Sequence, residues 1–270
     1  MARHVVVGWD GSAAAEGALD WGVRHNPQAE SVEIVEVEEP GGHRPAGGRD
    51  ADEAARRIRE AHPGIDVRVS RERGDVVEVL ADRSAPAGIV VLGGRGNEQL
   101  RRGHRTSKAY RVVLHASGPV AVVPSSYTGG RDVVVGVTGD SDAPCVALTA
   151  AAEAARRRQR LVALYATRPL FGFGALPGEE GSRRHDEEEY HDLLRTVLAP
   201  VRAAYPELPV VPRIVRGRST DALLAESRTA MVLVLGREGT APAQQRPVTH
   251  SSMLLSRAPV MVVPPETVVA

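Results

Sequence analysis

The chain has 270 residues, enough for one large or two small domains, and its 42% hydrophobic and 25% charged residues form a globular balance that excludes wholesale disorder. Basic and acidic residues number 34 each, so no net field draws the chain to nucleic acid or to an anionic membrane. Cys145 is the single cysteine, which excludes an intramolecular disulfide and a thiolate-rich metal site and suits a reducing compartment.

The opening "MARHVVVGWDGS" reaches a charged loop within ten residues, too early for a secretory signal. No apolar run approaches the roughly 18–20 residues that span a bilayer. The expectation is a cytoplasmic protein with no membrane partner and no nucleic-acid partner.

In chain order, apolar runs at 4–9, 32–37, 65–70, 88–93 and 119–123 alternate with helical patterns near 12–25, 50–62, 75–84 and 106–116. The runs are short and valine-rich without strict alternation, as parallel strands buried on both faces require. Helices between successive strands predict right-handed crossovers and a doubly wound sheet. After "PSSYTGGRD" (124–132), a turn-rich joint, the pattern begins again, with strands near 132–138, 161–166, 209–215, 231–236 and 259–263.

The second half repeats the first. "VVVGWDGSA" (5–13) matches "VVVGVTGDS" (133–141), "VVLGGRG" (90–96) matches "VLVLGREG" (232–239), and "PVAVVPSS" (119–126) matches "PVMVVPPE" (259–266). The pairs are offset by 128, 143 and 140 residues, so the second copy gains about fifteen residues within 168–192 and loses three in its glycine loop. The fold class expected is α/β: two tandem Rossmann-like domains, 1–126 and 131–270, each a five-stranded parallel sheet flanked by helices. Their fifth strands are short apolar edges that invite pairing with one another.

Ligands of such sheets bind beyond the carboxyl ends of the strands, where strand order reverses. "GWDGS" (8–12) puts Asp10 there and Ser12 at a helix N-cap position. The loop 93–107 follows the fourth strand; its glycines admit backbone amides to an anion, and Ser107 opens the next helix with a hydroxyl. Arg95, Arg101, Arg102, Arg105, Lys108 and Arg111 concentrate positive charge around it, either as a solvated loop or with one or two reaching phosphate.

These residues resemble the universal stress protein family. Its signature is a strand ending in Asp-Gly-Ser, then Gly, two residues, Gly, nine residues and Gly-Ser or Gly-Thr. This chain supplies "WDGS", Gly93, Gly96 and "TS" at 106–107, and "HASGPVAVVP" (115–124) is similar to the family's last helix and strand. The resemblance covers both copies and implies an adenine-nucleotide alpha-hydrolase-like fold, binding of ATP without a known reaction, and dimerisation through the fifth strand. Asp10 and the backbone near Val37 would face adenosine; Gly93, Gly96, Thr106 and Ser107 would hold phosphates, and any magnesium would arrive with the nucleotide. Thr106 departs from the family's glycine. A side chain there crowds phosphate, and a left-handed backbone would cost about 1–2 kcal/mol, though the hydroxyl is a compensating donor. Weakened rather than abolished binding is expected in the first domain.

The second copy has Thr138 in place of the aspartate, a loop three residues shorter, and Arg246-Pro247 where Gly-Ser belongs. Pro242 and Pro247 cannot donate amides, so this domain is expected to be a structural partner. "GDSD" (139–142) superficially resembles a nucleophile motif, yet helix capping is the better assignment for Ser141. In "HDEEEYHD" (185–192) the histidines are six apart and share no helical face, so a solvated helix start fits better than a metal site. Cys145 is expected in the core. Nothing nominates a general base or a metal pair, so the expected function is a non-enzymatic adenine-nucleotide-binding stress or signalling protein. The alternatives are an interaction protein that has lost nucleotide binding and, more remotely, a slow ATP hydrolase. A further homodimer and an unidentified protein partner are compatible with the sequence.

Overall fold

The computed structural model describes residues 4–40, 48–85, 88–94, 107–167, 180–237 and 248–265, with the side chains of 180–187 outside the description. The first half runs β1 (His4–Trp9), α1 (Ala13–His25), β2 (Ser31–Glu38), α2 (Ala51–Ala61), β3 (Asp66–Arg73), α3 (Val76–Asp82), β4 (Ile89–Gly94), α4 (Lys108–His115) and β5 (Val120–Pro124). The second runs β6 (Arg131–Val137), α5 (Ala143–Arg157), β7 (Leu161–Thr167), α6 (Glu180–Ala204), β8 (Val210–Arg216), α7 (Ser219–Glu226), β9 (Ala230–Gly236), α8 (Val248–Leu255) and β10 (Val260–Val263). The α/β repeat expected from the valine runs is therefore present in both halves. The early gain in the second copy appears as α6, with 25 residues against 11 in α2.

Local chemistry sets the helix starts. Ser12, Asp50, Asp75 and Ser107 each sit in extended backbone and accept first-turn amides of α1, α2, α3 and α4. The inner strands β1, β4, β5, β6, β9 and β10 are nearly free of polar residues at their centres: Val5, Val6 and Val7 of β1 are all fully buried, because helices cover both faces.

All ten strands form one sheet in the order β3-β2-β1-β4-β5-β10-β9-β6-β7-β8. Pairing is parallel within each half. At the centre β5 and β10 pair antiparallel, with Val122 opposite Val260, Ala121 opposite Met261 and Val120 opposite Val262. Two continuous cores result, one on each face, and both draw residues from both halves. The outer strands are blunted against further pairing: β3 carries the Asp66–Arg68 ion pair, and β8 carries Pro212 and Arg213.

The two halves are related by a pseudo-twofold axis, and equivalent residues meet on it. Ala121 and Met261 are 140 apart, as are Tyr110 and His250, whose rings lie 4.4 Å apart between α4 and α8. On the other face His25 and Glu153, 128 apart, join α1 to α5 through a 2.7 Å hydrogen bond. These separations are the repeat offsets themselves. Further links cross the junction: Tyr127 donates to the Met231 carbonyl at 3.0 Å, and Arg157 to the Arg24 carbonyl at 3.1 Å. Arg237 caps the carboxyl end of α4, donating to the Ala116 carbonyl at 2.6 Å and the Leu114 carbonyl at 3.3 Å. Cys145 departs from expectation. It is half-buried on α5 rather than in the core, where Ala143, Val146 and Ala147 take the inward positions.

Candidate functional site

In the first half strand order reverses between β1 and β4, and the expected site residues lie at that edge. Asp10 follows β1 and is exposed; its Oδ1 accepts the Ser12 amide at 3.0 Å, which stiffens the turn. Gly11 has φ +74, and a Cβ there would stand 3.0–3.1 Å from the backbone of residues 48 and 49. That backbone is tied down in turn: the Arg49 amide donates to the Gly11 carbonyl at 3.0 Å, and Trp9 Nε1 donates to the Arg49 carbonyl at 3.3 Å. The chain leading into α2 thus lies against the β1–α1 turn.

Val37 is half-buried near the end of β2, paired with Glu72 of β3. Ser107 is 9% exposed and its Oγ accepts the Tyr110 amide at 3.1 Å. That bond uses a lone pair and leaves the hydroxyl proton for another acceptor. The amides of Lys108 and Ala109, first in α4, have no acceptor within the helix and favour an anion.

Acidic residues crowd the same place. Lys108 forms an ion pair with Glu39, just past β2, which brings the start of α4 over the end of that strand. Arg111 lies 3.8 Å from Asp75, whose carboxyl is held below its ordinary value chiefly by the Val77 amide. Gly93 has a structural duty: a Cβ there would stand 2.5 Å from the Ala14 carbonyl carbon and 2.6 Å from its oxygen. Helix α1 needs that glycine to lie on β4.

The corresponding edge of the second half is built differently. Five residues separate β6 from α5, against three between β1 and α1. Gly236, the counterpart of Gly93, therefore faces side chains, Val146 Cγ2 at 3.3 Å and Asp142 Oδ2 at 3.4 Å from a notional Cβ, rather than helix backbone. A cavity of about 90 Å³ opens between the ends of β6, β7 and β9 and the starts of α5, α7 and α8.

The 3-2-1-4-5 topology with its reversal point is repeated in both halves, and comparison with known proteins decides the family. The profile of the universal stress protein family matches residues 1–124 and again 130–264. The chain belongs to the universal stress protein family. Among curated members, a universal stress protein of Mycobacterium tuberculosis is 28% identical over 271 residues, covering 87% of this chain and 86% of its own. One from Mycolicibacterium smegmatis is 29% identical over 259 residues, covering 87% of each. Among solved structures, a universal stress protein of Archaeoglobus fulgidus superimposes with a TM-score of 0.63 at 17% identity, covering 98% of this chain and 99% of its own. These structural likenesses establish the tandem fold.

For this universal stress protein, Asp10, Val37, Gly93 and Ser107 share the carboxyl edge of the first half. Gly96, Thr106 and the arginines at 95, 101, 102 and 105 lie outside the described residues. Sequence reasoning missed Glu39, although "VEVEE" (35–39) signalled an acidic strand end, and it missed the second cavity altogether. The change from Ala14 to Asp142 at the same repeat offset was the available signal for that cavity. Among the described residues no helix is long and apolar enough to cross a membrane, and no three metal-ligating side chains cluster.

Proposed function

We propose that this universal stress protein binds one adenine nucleotide, without turning it over, at the carboxyl edge of its first domain. The observation that carries the reading is the start of α4. Ser107 keeps a hydroxyl proton to give, two adjacent amides lack helical acceptors, and the Lys108–Glu39 pair brings them over the end of β2. Asp10 and the backbone near Val37 are the groups for adenosine. Gly93 and Gly96 let the loop approach phosphate, and Ser107 with Thr106 closes on it. Magnesium would come with the nucleotide. The second domain departs from the phosphate motif and takes no part in this site.

Calorimetric titration of ATP into the full chain tests this. One site per chain is expected, with Gly96→Val abolishing binding and phosphate release staying at background. Two sites would refute the asymmetry, and unaltered binding in Gly96→Val would refute the cradle. Thr106→Gly is expected to tighten binding about tenfold, by relief of about 1–2 kcal/mol of strain or crowding. Equal or weaker affinity would make the Thr106 hydroxyl a useful contact.

A second reading is favoured by the acidic character of the same edge. Glu39 occupies the sole lysine of the chain, so the edge presents carboxylates near the place meant for phosphates. On that reading the protein acts through a protein partner and has lost the nucleotide. Mass spectrometry of the natively purified chain separates the two, since carried-over ATP or ADP is expected only on the first.

A further inference from the structure

The cavity of the second domain is left unused by the nucleotide reading, and its lining differs in kind from a phosphate site. The wall is aliphatic, from Val137, Val146, Leu164, Leu223, Leu235 and Val248. The polar lining includes Asp140 and Asp142. Asp142 stands at the N-cap of α5 yet its carboxylate makes no capping bond; it lies over Gly236 instead. Neither aspartate has an ion-pair partner among the described residues. Arg237 also lines the cavity, but its guanidinium is committed to the α4 carbonyls across the domain junction.

The starts of α5, α7 and α8 would draw an anion to this place. Two carboxylates without an ion-pair partner among the described residues oppose it, and the one at Asp142 stands over the glycine where a phosphate would have to approach. Two carboxylates against one guanidinium that is turned to the α4 carbonyls leave a net negative side-chain charge above an aliphatic pocket. A cavity of about 90 Å³ is smaller than the engineered 150 Å³ pocket that admits benzene, so it suits an aliphatic body of about four or five carbons. We infer that this cavity binds a small aliphatic amine, with its hydrocarbon against Val146, Leu164 and Leu223 and its ammonium against Asp142, beside Asp140. The cavity exists because α5 begins two residues later than α1 at the same repeat offset of 128, so that the Asp142 and Val146 side chains face Gly236 where α1 lays helix backbone on Gly93. The second domain is then a ligand-binding domain with a ligand class opposite in charge to that of the first.

The test uses the full chain labelled with ¹⁵N and 3-methylbutylamine as probe, with 3-methylbutanol, 3-methylbutanoate and inorganic phosphate as comparators. The amine is expected to saturate and to shift the amides of Ala143, Val146, Leu223 and Thr249. The alcohol should bind at least tenfold more weakly, and neither anion should move those amides. Asp142→Asn should lower amine affinity at least tenfold while leaving the alcohol unchanged. Because the ratio of amine to alcohol is measured within one preparation, a general loss of fold does not imitate the effect. Equal affinity for amine and alcohol, shifts caused by phosphate or 3-methylbutanoate, or no response to the amine at its solubility limit would each overturn the assignment. ATP binding in Asp142→Asn should match the parent, so the result stands apart from that of the first domain.

Discussion

Glu153→Ala is expected to destabilise the protein by about 3–5 kcal/mol, read by urea unfolding of the full chain. Glu153 lies on the pseudo-twofold axis with its side chain 12% exposed, bonded to His25 Nε2 at 2.7 Å and paired with Arg156. His25 is 3% exposed and stacked on Trp21 with ring centroids 4.0 Å apart. Arg157, beside them, has Nε and one Nη buried without acceptors. Burial alone would raise the Glu153 carboxyl; the His25 bond and charge and Arg156 overcome it and hold the group at about 2. Burial pushes the His25 imidazole below its ordinary value, against the pull of Glu153. Near neutral pH the arrangement is therefore a carboxylate facing two guanidinium groups and a neutral imidazole that donates from Nε2, the imidazole adding its charge only where acid protonates it. Removing the carboxylate leaves buried cations with no countercharge, the costly half of a buried pair.

The pH dependence has a definite sign. His25 is depressed in the folded state, so its contribution is present above 6.5 and is lost as pH falls below that value. Glu153, depressed from 4.5 to about 2, contributes above 4.5 and is lost as pH falls from 4.5 towards 2. Melting temperature should fall in two stages on acidification, and Glu153→Gln should shrink the lower stage, to which Asp75 and Asp132 also contribute, while keeping the upper. A loss below about 1 kcal/mol in Glu153→Ala would show that the axis cluster is solvated and contributes little.

Much of this architecture was legible because strand burial and repetition leave strong marks on sequence. Valine runs such as "VVVGW" and "IVVLGG" can only be strands covered on both faces, and the offsets of 128 and 140 residues, properly read, name the residues that meet on the axis. The partners Tyr110 and His250, or His25 and Glu153, do not resemble one another chemically, which is why inspection for matching residues passes over them. Cys145 misled because an apolar helix pattern does not tell which small residue faces inward; α5 turns Ala143, Val146 and Ala147 to the sheet instead. The candidate site was legible in residue identity but not in duty. Gly93 reads as a phosphate glycine in sequence, whereas its nearest neighbour across space is the backbone of α1. The second cavity left its mark in the change from Ala14 to Asp142 at the same offset of 128 residues, with α5 beginning two residues later than α1, and a comparison of motif letters alone does not tell where a helix starts.

Gly93→Ala is the sharpest discriminator between these duties. A single methyl placed there would lie 2.5 Å from Ala14 C, 2.6 Å from Ala14 O and 2.8 Å from Ala15 N, all backbone atoms of a helix anchored by its Ser12 cap. No rotamer change relieves a clash with backbone, so α1 must move off β4 and carry Ala15, Ala18 and Leu19 with it, all buried to within 2%. A loss of about 3 kcal/mol or more is expected, at the upper end for overpacking by one methyl. The counterpart Gly236→Ala meets only the Val146 methyl at 3.3 Å and the Asp142 carboxylate at 3.4 Å, both of which can yield, and about 1 kcal/mol or less should be lost. Urea unfolding of the two variants beside the parent measures this difference directly. If the two losses are equal, α1 is not seated on Gly93 as described. If Gly93→Ala unfolds like the parent yet no longer takes up ATP, the glycine serves the nucleotide and the helix merely tolerates it. The steric argument predicts the opposite order: stability fails first, and any loss of ATP binding by Gly93→Ala follows from the displaced helix.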